Sequence, residues 1–218
     1  MNLDKDIGYY FITNNELSIK GNENDVKLAC ELGVKVIQYR NKNATTKELY
    51  NEAHKLRQIC KNHNVKFLVN DRIDIAIAVD ADGVHLGQDD MPYPVARKLL
   101  GRKKIIGLST HNIKEAQLAE FSNVDYIGVG AIFNTSTKKN VTKAQGVELI
   151  KNIKKIVNIP IVAIGGINMS NFKDVIEAGA DGFCSISDIV KHEDMKTRIL
   201  EISKYLKQEN SKYSSKMK

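Results

Sequence analysis

The chain has 218 residues, of which 42% are hydrophobic and 27% are charged, and these values argue against a disordered or fibrous protein. No apolar run approaches the roughly 18 residues that a membrane span needs, and the polar N-terminal segment is unlike a signal peptide, so we expect a cytoplasmic protein with no membrane partner. The net charge of +7 is compatible with a nucleic-acid partner or with small anionic ligands, and it does not separate the two.

Short β-branched segments and segments with helical periodicity alternate along the chain. Several of the short segments are almost continuously apolar, which is typical of parallel strands covered on both faces. The predicted strands are residues 8–12, 34–39, 66–69, 83–86, 105–108, 126–129, 161–164 and 182–186. The predicted helices are residues 24–32, 46–62, 73–79, 93–100, 113–121, 147–157, 170–178 and 194–207.

Eight strand–helix units predict the α/β class and a single-domain (β/α)₈ TIM barrel over residues 1–206, followed by a flexible, polar and basic tail over residues 207–218. A doubly wound open sheet is the alternative, but no GxGxxG motif follows the first strand. The sequence leaves the oligomeric state open, with a homodimer as one option. Because barrel enzymes place their sites at the C-terminal ends of the strands, polar residues there are the candidates.

Three cationic or amide side chains lie at or just after the end of the second predicted strand. Alternation along an extended chain sends Gln38, Arg40 and Lys42 to the same side, toward the barrel mouth. Arginine binds phosphate oxygens in a bidentate manner and lysine adds a point charge, so this set suits a diphosphate. A solvated, charged strand end is the simpler alternative.

Carboxylates follow the third and fourth predicted strands. Asp71 and Asp90 would come from adjacent strand ends, beside the groups that suit a phosphate. Magnesium takes a few oxygen ligands together with substrate phosphates and water, so the pair predicts a Mg²⁺ site. Helix capping is the alternative role for these residues.

The remaining strand ends indicate a second anion site. The fifth strand ends at Ser109, which we expect to hydrogen-bond rather than to act as a nucleophile, because no GxSxG motif surrounds it. Gly166 and Ser187 end the seventh and eighth strands, where such barrels bind phosphate through backbone N–H groups, although a glycine there also suits a tight turn. Two anion sites and one divalent cation predict transfer chemistry with a pyrophosphate leaving group.

Seven motifs, in their order along the chain, give the sequence a family resemblance from Tyr9 to about Ile189. They are QYRNK, LVNDR, ADGVHLGQDD, GLSTH, DYIGVGAIFNTSTK, AIGGI and the closing Ser187. The chain resembles the thiamine phosphate synthases, which join hydroxymethylpyrimidine diphosphate to a thiazole phosphate and release thiamine monophosphate and pyrophosphate.

The resemblance implies a role for each matching residue. It implies that Mg²⁺ is the cofactor, that small phosphorylated molecules are the partners, and that no specific nucleic acid is bound. The implied ligands of the diphosphate are Gln38, Arg40, Lys42, Asn70 and Lys138. The implied metal ligands are Asp71 and Asp90, and Ser109 is implied to lie near the pyrimidine. The thiazole phosphate is implied to contact Gly166 and Ser187, with Thr135 and Thr137 nearby. Of these, Arg40, Lys42, Ser109 and Lys138 are the predicted catalytic residues.

Three positions depart from the family pattern. Ala131 and Asn134 stand where the family commonly has proline, and Asp188 follows Ser187 where a small apolar residue is usual. Asp188 would repel a phosphate bound at Ser187 unless its carboxylate points away. The alternatives are a thiazole tautomerase-like paralogue, a nucleic-acid-binding or regulatory barrel, and another phosphate-binding barrel that would need an acid–base pair.

Overall fold

Eight parallel strands close into a barrel in the order β1 to β8, as the computed structural model shows for residues 7–135 and 144–216. Each strand pairs with the next, and β8 pairs with β1 to close the ring. The strands are β1 Gly8–Ile12, β2 Val36–Tyr39, β3 Lys66–Asn70, β4 Gly83–Leu86, β5 Ile105–Thr110, β6 Tyr126–Val129, β7 Ile161–Ala163 and β8 Gly182–Phe183.

Helices follow the strands and surround the barrel. They are α1 Asn22–Glu31, α2 Thr46–Asn62, α3 Ile73–Ala78, α4 Tyr93–Leu100, α5 Ile113–Phe121, α6 Val147–Lys154, α7 Phe172–Glu177, α8 Ser187–Val190 and α9 Met195–Lys216. The local sequence explains where several begin. A capping box of Thr45 and Glu48 starts α2, and the Asn112 side chain accepts a hydrogen bond from Glu115 N at the start of α5. The prediction of a single-domain (β/α)₈ barrel is confirmed.

Alternating side chains of each strand form two separate apolar cores. On β1, Tyr9 and Phe11 point outward into the layer between the barrel and the helices, whereas Tyr10 and Ile12 point into the barrel. The inward side chains below the mouth form the floor on which a ligand cavity rests. Within the described part of the chain, no helix combines the length and the apolar character that crossing a membrane requires.

Three aspartates repeat one arrangement at the N-terminal ends of the strands, opposite the mouth. Each backbone N–H donates to the carbonyl of a residue in the preceding strand, and each carboxylate accepts the N–H of that same residue and a cation from a helix. The sets are Asp82 with Phe67 and Arg57, Asp125 with Ile106 and Arg97, and Asp181 with Ile161 and Lys154. We call these three sets the aspartate clamps, and each ties two strands to the helix layer.

Three elements near the C-terminus differ from the prediction. The eighth strand keeps only Gly182–Phe183, and Ser187–Val190, which was not predicted as a helix, forms α8. The Ser185 hydroxyl donates to the Ile167 carbonyl at 2.7 Å, so the chain leaves the sheet toward the loop after β7. Helix α9 continues past the predicted end at residue 207, as far as Lys216. The boundary of the barrel domain at residue 206 stays a prediction.

Candidate active site

A cavity opens at the barrel end where the strands finish. Seven of the predicted residues, contributed by the ends of six strands, line it: Gln38, Arg40, Asn70, Ser109, Thr135, Gly166 and Ser187. Parallel strands bring their carboxyl ends to the same edge, which is why residues so distant in sequence meet there. The cavity therefore gathers amide, guanidinium, hydroxyl and glycine backbone groups around one volume.

The backbone of Arg40 is held by the end of β1. Arg40 N donates to the Thr13 hydroxyl oxygen at 2.9 Å, and that hydroxyl lies 3.3 Å from the Arg40 carbonyl. Burial lowers the pKa of Arg40 while the Asp71 carboxylate opposes this shift, and a guanidinium keeps its charge in either case. A cation on an anchored backbone therefore lines the cavity from the end of the second strand.

Lys42, Asp71 and Asp90 form a charged group beside the cavity. Lys42 Nζ lies 3.3 Å from Asp71 Oδ2, with 56% of the lysine side chain exposed, so Lys42 sits at the rim. Burial, and then the hydrogen bond and charge of Asp90, raise the pKa of Asp71, while Lys42 lowers it. Asp90 is oriented by the Gly87 N–H, which donates to Asp90 Oδ2 at 2.6 Å. The charge of Asp90 disfavours ionisation of Asp71, and a cation beside the two carboxylates would relieve this repulsion.

A hard divalent cation fits this carboxylate pair. Within residues 7–135 and 144–216, no group of three or more His, Cys, Asp or Glu side chains is placed to hold a metal ion. Two carboxylates alone leave coordination positions for substrate phosphate oxygens and water, which is the kind of site that magnesium prefers and that zinc does not.

The far end of the cavity is built from glycine backbone. Gly165 and Gly166 have φ of 102° and 64°, and a Cβ on Gly166 would lie 2.4 Å from the Asn134 carbonyl oxygen. The glycines therefore let the loop after β7 pack against the loop after β6. Among the described residues, no acceptor pairs with the backbone N–H of Gly166 or of Ser187, and both residues line the cavity. Such N–H groups suit an anion.

Asp188 forms an ion pair with Arg198, which offsets the repulsion expected between this carboxylate and a phosphate bound at Ser187. Its Oδ2 atom accepts from Arg198 Nη1 at 2.6 Å and from Met169 N at 3.1 Å. The departure from the family pattern at this position is therefore compensated by a cation from α9.

The comparisons with known proteins agree with this geometry. A sequence model described as Thiamine monophosphate synthase matches residues 9–189. The chain belongs to this family. It is 50% identical over 192 residues to the thiamine-phosphate synthase of Methanosarcina barkeri, covering 88% of this chain and 87% of that protein. It is 47% identical over 212 residues to the synthase of Methanosarcina mazei, covering 97% and 88%. Thiamine phosphate pyrophosphorylase from Pyrococcus furiosus superposes with a TM-score of 0.85 at 39% identity, covering 94% of this chain and 97% of that one.

Membership of the thiamine monophosphate synthase family confirms the predicted resemblance and the prediction of an enzyme. Such an enzyme acts on small phosphorylated molecules, and the comparisons do not favour the tautomerase or the nucleic-acid-binding alternative. The roles of individual residues stay predictions. Two of those residues, Thr137 and Lys138, lie outside the described part of the chain.

The polar side chains in the floor of the cavity were not predicted from the sequence. Tyr10, His85 and Tyr126 line it together with Gln38 and Ser109, and hydrogen bonds join all five. None of the three follows the C-terminal end of a strand, because Tyr10 and His85 lie within β1 and β4 and Tyr126 begins β6. Ser109 Oγ contacts His85, whereas His111, two residues further along the chain, pairs with Glu115.

Proposed function

We propose that the protein joins hydroxymethylpyrimidine diphosphate to thiazole phosphate, giving thiamine monophosphate and pyrophosphate. The observation that carries the proposal is the convergence of two anion-binding ends on one cavity. Arg40 lies at one end, with Lys42 beside it at the rim, and Gly166 and Ser187 lie at the other. A thiazole tautomerase needs only the thiazole phosphate end, whereas this chain also holds a carboxylate pair next to its cationic end.

The bond between the pyrimidine methylene carbon and the diphosphate oxygen breaks, and the electron pair leaves with pyrophosphate. The thiazole nitrogen then forms the new carbon–nitrogen bond with its lone pair. The proposed ligands of the departing diphosphate are Gln38, Arg40, Lys42, Asn70 and Lys138. The guanidinium of Arg40 stabilises the negative charge that develops on the departing pyrophosphate. Ser109 positions the pyrimidine, and Thr135 and Thr137 lie beside the thiazole phosphate.

We propose that Asp71 and Asp90 hold Mg²⁺ together with substrate oxygens. When bound, the ion neutralises charge on the diphosphate. The raised pKa of Asp71 beside Asp90 supports this assignment, because a cation stabilises two neighbouring, half-buried carboxylates. A cytoplasmic location, the absence of a specific nucleic-acid partner and a homodimeric state are further parts of the proposal.

The direct test incubates the purified protein with both substrates and Mg²⁺ and measures thiamine monophosphate by chromatography. Product should form only when both substrates are present. A folded protein that releases no pyrophosphate, or that only isomerises the thiazole substrate, would contradict the proposal.

The metal assignment is tested with Asp71→Asn, which removes the charge at nearly constant volume. Activity of this variant should collapse, and the activity of the unmodified enzyme should disappear with a chelator and return with Mg²⁺. Asp74→Asn is the matched control, because Asp74 is exposed and pairs with Arg72 instead. Full turnover of Asp71→Asn in the presence of a chelator would rule out the assignment.

A further inference from the structure

Five side chains form a continuous hydrogen-bonded chain across the barrel interior below the cavity. Gln38 Nε2 donates to Tyr10 Oη at 2.9 Å, and Tyr10 Oη lies 2.8 Å from Tyr126 Oη. Tyr126 Oη lies 2.8 Å from His85 Nδ1, and His85 Nε2 lies 3.0 Å from Ser109 Oγ. We call these five residues the floor chain. It links the second strand to the fifth through the first, sixth and fourth.

Two glycines provide the space that the floor chain occupies. A Cβ on Gly107 would lie 2.1 Å from Tyr126 Cζ, and a Cβ on Gly128 would lie 2.9 Å from His85 Cε1. Any larger residue at position 107 would therefore displace the Tyr126 ring. Burial raises the pKa of both Tyr10 and Tyr126 above the ordinary tyrosine value, so each phenol keeps its hydrogen at neutral pH.

The number of hydrogens on the five side chains determines which group donates and which accepts in each hydrogen bond of the floor chain. Tyr10 Oη accepts from Gln38, so its own hydrogen goes to Tyr126 Oη. The hydrogen of Tyr126 then goes to His85 Nδ1, and His85 carries its hydrogen on Nε2 and donates it to Ser109 Oγ. If Tyr126 donated to Tyr10 instead, the Tyr10 hydrogen would have no oxygen or nitrogen acceptor among the described residues, in a side chain that is 1% exposed.

We propose that the floor chain holds His85 as the Nε2–H tautomer and thereby leaves the Ser109 hydroxyl hydrogen available for donation into the cavity. Ser109 accepts from His85 in this tautomer, so its own hydrogen is not used within the floor chain and can be donated to a ligand. The Ser109 hydrogen is donated to a ring nitrogen that carries a lone pair. The same tautomer prevents His85 from accepting the Ser109 proton, so Ser109 is not activated as a nucleophile. His85, Tyr126 and Tyr10 are positioning residues in this scheme.

The selectivity part rests on the proposed function, which supplies a pyrimidine ring at Ser109. A 4-aminopyrimidine presents ring nitrogens with lone pairs. The corresponding 4-oxo analogue, in its lactam form, carries a hydrogen on the ring nitrogen next to the carbonyl, so that nitrogen cannot accept the Ser109 hydrogen. We therefore expect the 4-oxo diphosphate analogue to be used about 10- to 100-fold less efficiently, as kcat/KM, because an unpaired buried polar group is costly.

The tautomer is measured directly by long-range ¹H–¹⁵N NMR correlation on the full-length, ¹⁵N-histidine-labelled protein without substrate. The His85 signals are those absent from the spectrum of His85→Gln; if that variant does not fold, replacing the other four histidines in turn identifies them. We expect a protonated Nε2 and a bare Nδ1. A hydrogen on Nδ1 with a bare Nε2 would overturn the proposal. This measurement needs no turnover, so it stands or fails independently of the proposed function.

Kinetics on the holoenzyme test the positioning role. His85→Ala should lower kcat/KM for the diphosphate substrate about 10- to 100-fold, and His85→Gln should recover part of this loss because its amide can donate from near the Nε2 position. Tyr9→Phe is the control for losing a buried phenol, since Tyr9 Oη donates to the Ser185 carbonyl on the outer face of the same strand as Tyr10. Equal losses in His85→Ala and His85→Gln, or a Tyr9→Phe loss as large as theirs, would contradict the positioning role.

Discussion

Asp125 ties β5 and β6 to helix α4, and replacing it with alanine should destabilise the barrel without touching the cavity. Its carboxylate accepts from Ile106 N at 2.8 Å and from Arg97 Nη2, and its own N–H donates to the Ile106 carbonyl at 3.0 Å. Only 12% of the Asp125 side chain is exposed. Alanine keeps the backbone bond and removes both bonds that the carboxylate accepts.

The expected loss in the free energy of unfolding follows from the two groups that lose the Asp125 carboxylate as their acceptor. Ile106 is fully buried, so its N–H would lose its acceptor at a cost of about 1–3 kcal/mol. Arg97 loses a charged partner but keeps the carbonyls of Gly101 and Lys104, which limits the second contribution to about 1 kcal/mol. Together they give about 3 kcal/mol, or a fall in Tm of about 6–12 °C for a domain of this size. Asp125→Asn should lose about 1 kcal/mol, because the amide oxygen still accepts from Ile106.

Thermal unfolding followed by circular dichroism measures the difference. The matched control is Glu148→Ala, which removes an exposed carboxylate that pairs with Lys151 on the surface of α6 and should change stability by less than about 0.5 kcal/mol. If Asp125→Ala and Glu148→Ala lowered Tm equally, the aspartate clamp would not be the stabilising unit that the hydrogen bonds indicate.

Three further predictions concern the ligands. Arg40→Ala should lower kcat/KM for the diphosphate substrate by about 10- to 100-fold. Gly166→Val should mainly raise KM for the thiazole phosphate, because its side chain would displace the Asn134 backbone. Steady-state kinetics with each substrate varied in turn test this assignment of one substrate to each end of the cavity, which would be wrong if both variants affected both substrates alike. Arg198→Ala should also raise KM for the thiazole phosphate, since it leaves the Asp188 carboxylate without its cation next to Ser187, and an unchanged KM would place that phosphate elsewhere. Duplex DNA should bind only in the ~10⁻⁴–10⁻⁶ M range at physiological salt, measured by fluorescence anisotropy, and nanomolar binding would revive the nucleic-acid alternative.

Much of the candidate site could be predicted because strand ends are readable from a sequence. The turn from an apolar run into polar residues marks Gln38, Asn70 and Ser109 without any structure, and a barrel has only one edge at which such residues can meet. The effect of Asp188 could not be predicted, since its partner Arg198 comes from a helix whose packing depends on the closure of the barrel. The aspartates of the clamps were visible as a recurring turn, but their partners in other strands were not.

The sequence by itself determined the order and the type of the elements, because hydrophobic periodicity and glycine turns are local properties of the chain. It therefore predicted the eight-fold repeat, the barrel and the edge that carries the site. Only the tertiary structure decided which interior side chains meet. Tyr10 and Tyr126 are 116 residues apart and their hydroxyls lie 2.8 Å from each other because the strand register places them at the same level inside the barrel. The direction of the floor chain, and with it the hydrogen that Ser109 offers a ligand, follows from that register and from the space left by Gly107 and Gly128.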